Sequence, residues 1–434
     1  MDDKIRNEFL KFHSKVRSIV PFYGLAKTII ELLFLRCLID DVDDFKFSDV
    51  EDMKPLFKLQ TELASSSLTE ETLNAVFSVI DKVFFDGLSS IRKASAVYRF
   101  FFSASFKEME ALVKALMSFD MPKDPQSRWE VIKEAFNLSA HDVRQFGESI
   151  TPEMLVSVGN ALLDVKQKDH YFDPFAGFSS AFLSLPGDGC GSYEGCEIDY
   201  EVCAVSLMLL VMLKKPNANV YPADFFNFPE DHDIDKIFCD GPLSMRLADL
   251  ETIEKYETRE ADVATLYKIE QLLAPKGRAV MTVPGKFLYS AAKPYETVRK
   301  HFTEKGLKAI VFFPGGVLPR TMVPVNLLLI EDGYSGPISF VDARQLVKVS
   351  ERDIKTIDQE TIKAIAKSID LLDGPTEWFK MVERATVAES EGCSWNPPLF
   401  FKGDSRKENR SLAEIEADIE DVAKQLIDLI EDEE

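Results

Sequence analysis

The chain has 434 residues, 46% of them hydrophobic, which is enough for two or more globular domains with a sizeable core. It carries 51 basic and 73 acidic residues, a net charge of −22. A protein that grips DNA alone usually shows a basic face, so DNA contact here calls for a local basic cleft or for a partner, and solubility accounts for most of the charge.

Chain order gives three parts. Residues 1 to about 125 read as a helical domain. Ala26–Asp40 is strongly apolar and built of helix formers, so it predicts a buried helix; Glu70–Phe85 and Lys107–Phe119 are also helix-periodic. Asp41–Asp52 reads as an acidic loop, and Met121–Ser127, with two prolines, as a linker. From 126 to 345 the pattern alternates between strand and helix. Candidate strands are His170–Asp173, Ser192–Ile198, Asn219–Tyr221, Ile234–Cys239, Arg278–Val283, Lys308–Phe313, Val325–Ile330 and Pro337–Val341. Helices between most of them predict an α/β fold with a mostly parallel, Rossmann-like sheet covered on both faces. Ligands of such sheets bind beyond the carboxyl ends of the strands. Residues 346–434 form a C-terminal region ending in a helical tail.

Six cysteines show no Cys-x-x-Cys pair, which argues against a zinc site and for reduced thiols. No apolar run of about 18 residues predicts a membrane span. Met1-Asp2-Asp3-Lys4 does not read as a secretory signal. The expectation is a cytoplasmic protein without a metal.

The chemistry sits at successive strand ends. The first candidate strand runs into Asp173-Pro174-Phe175-Ala176-Gly177-Phe178-Ser179-Ser180, a strand, a sharp Gly-bearing turn and a helix. It is not Gly-x-Gly-x-x-Gly, so a dinucleotide fold is disfavoured. The second ends in Glu197-Ile198-Asp199; an acid about 20 residues after the glycine loop can accept both ribose hydroxyls, and Glu197 is preferred to Asp199. The third runs into Asp224-Phe225, an acid able to accept from an adenine amine beside a ring able to pack on it. The fourth ends in Asp240-Gly241-Pro242-Leu243. Each acid alone is more often a solvated loop carboxylate; the ordered series Asp173, Glu197, Asp224, Asp240 is much less expected by chance. Upstream, Thr151-Pro152 opens a helix, with Thr151 as N-cap and Pro152 in the first turn.

These segments resemble S-adenosylmethionine-dependent amino-methyltransferases, and over nearly the whole length the modification (M) subunit of type I restriction-modification systems. The Asp173–Leu183 loop is similar to their Asp-Pro-x-x-Gly-x-Gly-x-x-Leu loop, with Ser179 and Ser180 where glycine is common. Serine there is expected to crowd the methionine portion of the cofactor. Phe146–Leu155 resembles their Tyr/Phe-x-Thr-Pro segment, which helps hold the cofactor carboxylate. The likeness implies cofactor binding by Thr151, Asp173, Phe175, Gly177, Glu197, Asp224 and Phe225. It implies adenine methylation by a loop formed here by Asp240, Pro242 and Leu243, on a base flipped from the duplex. It implies a specificity (S) subunit as partner, double-stranded DNA held mainly through the complex, and a possible nuclease subunit.

The loop departs from the family's Asn/Asp-Pro-Pro-aromatic: Gly241 replaces a proline and Leu243 the aromatic. Lost stacking is worth roughly 1–3 kcal/mol per base, so weak or absent methylation is expected. Two readings stay open, a DNA adenine methyltransferase subunit and a non-catalytic scaffold or sensor in a phage-defence complex. Asn396-Pro397-Pro398-Leu399-Phe400 is nearer the catalytic string in letters, but no apolar strand leads into it. In the tail, Ser411 and Glu414 form a capping box. Leu412, Ile415, Ile419, Val422, Leu426 and Leu429 make a coiled-coil seam, preceded by a short basic cluster, Lys402, Arg406, Lys407 and Arg410. Partner binding by this helix, residues 411–430, is weighed against packing on its own domain.

Overall fold

A computed structural model describes residues 2–20, 25–41, 50–65, 67–84, 105–140, 150–187, 189–215, 217–230, 233–318, 322–349 and 355–401. The tail seam, its basic cluster and the Phe146–Ser149 stretch lie outside the described residues. The chain divides into two compact units, Met1–Ser394 and Trp395–Glu434.

In the first unit the N-terminal residues are helical: Asp3–Arg17, Leu25–Asp40, Val50–Ala64, Glu70–Phe84, Phe106–Met117 and Pro125–Ala140. Leu25–Asp40 is buried almost throughout and packs on the helix Tyr200–Met212, tied by Lys27 to Glu201 at 2.7 Å. Arg128, fully buried, pairs with Asp41 at 2.5 Å and donates to the Met212 carbonyl at 3.0 Å. The expected linker ends early: Pro125–Ser127 form the first turn of a helix, with the Asp124 carboxylate accepting from the Ser127 amide at 2.7 Å. Proline is at home there because a first-turn amide has no intrahelical partner.

The sheet is built of β1 (His170–Asp173), β2 (Ser192–Cys196), β3 (Ala218–Tyr221), β4 (Ile234–Cys239), β5 (Leu273–Pro284), β6 (Leu307–Phe312), β7 (Val325–Glu331) and β8 (Ile338–Asp342). A two-stranded ribbon, β9 (Lys348–Val349) with β10 (Lys355–Thr356), and an edge strand β11 (Phe379–Val382) complete the strands. The sheet order is β11-β8-β6-β7-β5-β4-β1-β2-β3. Pairings from β3 across to β5 are parallel, as is β6 with β8. β7 runs antiparallel between β5 and β6, and β11 antiparallel to β8. β6 and β8 are buried at every position, as strands covered on both faces are. The chain winds outward from β1 to β3, then restarts beside β1 at β4 and winds the other way. That reversal opens a crevice at the carboxyl ends of β1 and β4.

The helix Glu153–Leu163 packs on β4, β5 and β7. Its approach depends on Gly159, where a Cβ would lie 2.4 Å from the Phe238 ring. Among the described residues no helix is long and apolar enough to cross a membrane.

Candidate active site

The crevice brings Asp173, Glu197 and Asp240 together. Asp173 is buried at the end of β1, and its Oδ1 accepts from the Phe175 amide at 3.1 Å. Burial pushes this carboxyl well above the usual carboxylate range; the Phe175 amide pulls it back, while Asp240 and Glu197 push it further up. Burial also raises Glu197, which accepts from the Asp199 and Gly177 amides. Those contacts are 2.7 Å from Asp199 to Oε1 and 3.0 Å from Gly177 to Oε2. Each oxygen keeps a lone pair for a further donor. The Glu197 carboxylate is thus fastened to the glycine turn, where Gly177 takes φ +51°. Asp199 is a helix cap, accepting from the amides of Glu201 and Val202 at 2.8 and 3.2 Å.

Ser179 does not crowd this turn. It adopts φ +56°, is fully buried, and its hydroxyl lies 2.5 Å from that of Ser206 and accepts from Tyr193 at 2.8 Å. The left-handed backbone turns the side chain into the core, away from the crevice. Gly195 on β2 permits the close approach of the same turn, since a Cβ there would meet Ala176 at 2.8 Å.

Asp224 stands after β3. Its Oδ1 caps the turn Phe225–Asn227 by accepting from the Phe226 amide at 3.0 Å. Phe225 is only 2% exposed, with Phe175 edge-on at 5.5 Å between centroids and Phe172 at 6.1 Å. Lys268 is a residue that sequence reasoning missed. Buried, it donates to the Phe226 and Phe228 carbonyls at 2.8 and 2.7 Å and sits 5.0 Å over the Phe225 ring. Burial brings its pKa down to about 8. It fixes the turn that carries Asp224 and Phe225.

Thr151 is not a capping side chain. The helix begins at Glu153, Pro152 holds the N-cap position, and no side chain caps it. Proline in that position has no hydroxyl, and Thr151 stands one residue too far out. Thr151 instead stands near Asp240, where its hydroxyl lowers the pKa of that carboxyl. Asp240 is half-buried at the end of β4. Burial raises its pKa, while the hydroxyls of Thr151 and Thr282 lower it. Thr282 is a second missed residue. The register Cys239↔Met281 sets it beside Asp240; its hydroxyl is buried and makes no close hydrogen bond.

Beyond Asp240 lies a narrow cleft lined by Phe175, Gly241, Pro242, Leu243, Asp262 and Thr282 among others, with a water-accessible volume of about 10 Å³, roughly one water. The cleft therefore joins an acid acceptor and an orphaned hydroxyl to apolar walls. In the second unit, Pro397–Phe400 is a short helix with Asn396 at its N-cap, not a loop at a strand end.

A family model for N-6 DNA methylase matches residues 135–408. No curated protein matches the chain. Among solved structures, the methyltransferase subunit of a type I restriction-modification system from Streptococcus thermophilus superposes with a TM-score of 0.74 at 15% identity, over 92% of this chain and 99% of that one. A structure from work on assembly and conformational transition of the type I restriction-modification system gives 0.65 at 15% identity, over 99% and 96%. A modification subunit assigned to a type I restriction enzyme of Vibrio vulnificus YJ016 gives 0.62 at 14% identity, over 86% and 92%.

Proposed function

The chain belongs to the N-6 DNA methylase family, and from that premise we propose that it is the modification subunit of a type I restriction-modification or related phage-defence system, transferring a methyl group from S-adenosylmethionine to adenine in DNA. The observation that carries this reading is the convergence of Asp173, Glu197 and Asp240 on one switch point. Burial and two neighbouring carboxylates raise Asp173, with no lysine or arginine among the causes. A cationic ligand seated there relieves that repulsion, and the methyl donor is a sulfonium with an ammonium group.

The residues fit that cofactor. Gly177 carries the turn through a left-handed backbone, Gly195 lets that turn approach β2, Ser179 points elsewhere, Glu197 retains acceptors for the ribose, and Asp224 stands where an adenine amine can donate. Bound, the cofactor supplies an electrophilic methyl group. The Asp240 carboxylate and a carbonyl of its loop accept the two hydrogens of the target amine. The nitrogen lone pair is then aimed in line, and positioning accounts for the rate. The Thr151 hydroxyl near Asp240 favours the ionised form of that carboxyl. An S subunit chooses the DNA sequence and supplies most DNA contacts, in keeping with the acidic chain.

Calorimetry tests the cofactor site. Glu197→Ala is expected to bind S-adenosylmethionine at least tenfold more weakly, about 1.4 kcal/mol. Unchanged affinity would remove Glu197 from the site. A second reading, a scaffold or sensor that transfers methyl groups weakly or not at all, is favoured by Leu243 in place of the aromatic and by the narrowness of the cleft. Labelled methyl incorporation into DNA by the complex with its S subunit separates the two.

A further inference from the structure

Gly241 is not needed for its backbone, which lies outside the left-handed region. It is needed for its neighbour: a Cβ at 241 would come within 2.8 Å of two carbons of the Phe175 ring and 3.3 Å of a third. Contacts under 3.0 Å are not tolerated without movement. The Phe175 ring is backed edge-on by the buried Phe225, at 61° between planes, so it cannot simply retreat. The loop proline is thus absent where a phenyl ring from the β1 turn has taken its space.

Leu243, at the position of the missing aromatic, packs against the main hydrophobic core. Phe175 is half-buried and forms part of the cleft wall beside Pro242 and Thr282. We infer that Phe175, rather than belonging to the cofactor site that the resemblance implied, is the surface on which the target base rests, and that Gly241 is the space this exchange requires. The two departures at 241 and 243 then form one coherent rearrangement, with the aromatic wall supplied from the β1 turn. The ligand is a planar heteroaromatic base whose exocyclic amine donates to Asp240. The inference rests on the methyltransferase reading.

The test uses the full chain in complex with its S subunit, tritiated S-adenosylmethionine, and bulk DNA free of adenine methylation. Phe175→Leu keeps an apolar side chain and removes the ring. It is expected to lower kcat/KM for DNA about 10- to 100-fold, the range for loss of one stacked base, with cofactor affinity changed less than about threefold. Phe175→Tyr, which keeps the ring, should stay near wild type. Wild-type-like turnover by Phe175→Leu overturns the inference, and so does a loss of cofactor affinity in that variant as large as its loss of turnover. A wild-type complex that transfers no label overturns the methyltransferase reading and this inference with it, whereas an active wild type with an indifferent Phe175 overturns the inference alone. Melting of the isolated chain tests the steric half: Gly241→Ala should lower Tm when Phe175 is present and not in the Phe175→Ala background. Equal effects in both backgrounds would uncouple the two residues and overturn the pairing.

Discussion

Thr151 shows how one hydroxyl can set the working range of a carboxylate. Burial holds the Asp240 pKa above its ordinary value, and the hydroxyls of Thr151 and Thr282 lower it. The ionised Asp240 is the stronger acceptor for the target amine, so methyl transfer should rise with pH through this raised pKa. The acid limb of the profile then lies above the ordinary aspartate pKa. Thr151→Val removes one lowering contact at nearly constant volume. The pKa of Asp240 moves up, the ionised fraction at a given pH falls, and the acid limb of kcat shifts to higher pH while the plateau is kept. A pH–rate profile of the variant complex checks this. A changed KM for S-adenosylmethionine with an unmoved limb would return Thr151 to the cofactor. The position of Thr151 was legible in the sequence, because Thr-Pro ahead of an apolar helix is a strong local signal. Its partner was not, since the pairing spans from residue 151 to residue 240. Thr282 and Lys268 were hidden for the same reason: strand register and tertiary packing place them, and neither stands in a turn or motif. Ser179 misled because a serine in place of glycine reads as bulk, whereas its φ of +56° turns the side chain into the core.

At the scale of elements, the helix Glu153–Leu163 is the part that joins the two halves of the crevice, since it carries Thr151 toward Asp240 while lying on β4. Gly159 sets its distance. A methyl group there would meet the Phe238 ring at 2.4 and 3.1 Å and Val280 at 3.3 Å. Phe238 is 1% exposed, so its ring has no open space to swing into. Gly159→Ala should gain up to about 1 kcal/mol in helix propensity and lose about 1–3 kcal/mol to overpacking, a net destabilisation read in urea melts at constant m-value. Activity should fall further than stability, because the helix start is displaced from Asp240. A variant as stable as wild type would show that helix and strand have slack. The strands from β1 to β8 were legible within a residue or two over most of their length, apart from the early start of β5, because apolar runs buried on both faces are interrupted by helix-forming stretches. The ribbon of β9 and β10, two residues each, carries too short a pattern to read. The edge strand β11, buried only at Phe379 and Val382, is likewise nearly silent. The helix Val50–Ala64 contains Pro55, which counts locally against a helix; Leu56, Leu59 and Leu63, all buried, outweigh it.

For the whole molecule, charge and connectivity point the same way. A chain of net charge −22 lacks the overall excess of cations whose counterion release drives DNA binding, so a DNA-modifying role calls for a local basic cleft or for a partner that contributes them. Met1–Ser394 forms a compact unit by itself, and the apolar stripe Leu412, Ile415, Ile419, Val422, Leu426, Leu429 follows it in sequence. Burying each of these side chains is worth about 1.5–3 kcal/mol relative to exposure, so the stripe favours a covered state. The acidic residues that flank it disfavour parallel self-pairing, because like charges align. A hetero-partner with basic flanks, the S subunit in our reading, meets both conditions. Truncation after Arg410 should therefore leave the first unit folded, with Tm close to that of the full chain, and should abolish capture of the S subunit in a pull-down. The truncated chain should still bind S-adenosylmethionine, since the proposed cofactor residues lie between 151 and 225. Light scattering is expected to show a monodisperse protein. Aggregation, or a Tm lower by many degrees, would place the helix in the chain's own core and sink the partner assignment; undiminished capture of the S subunit would move the docking surface elsewhere on the chain.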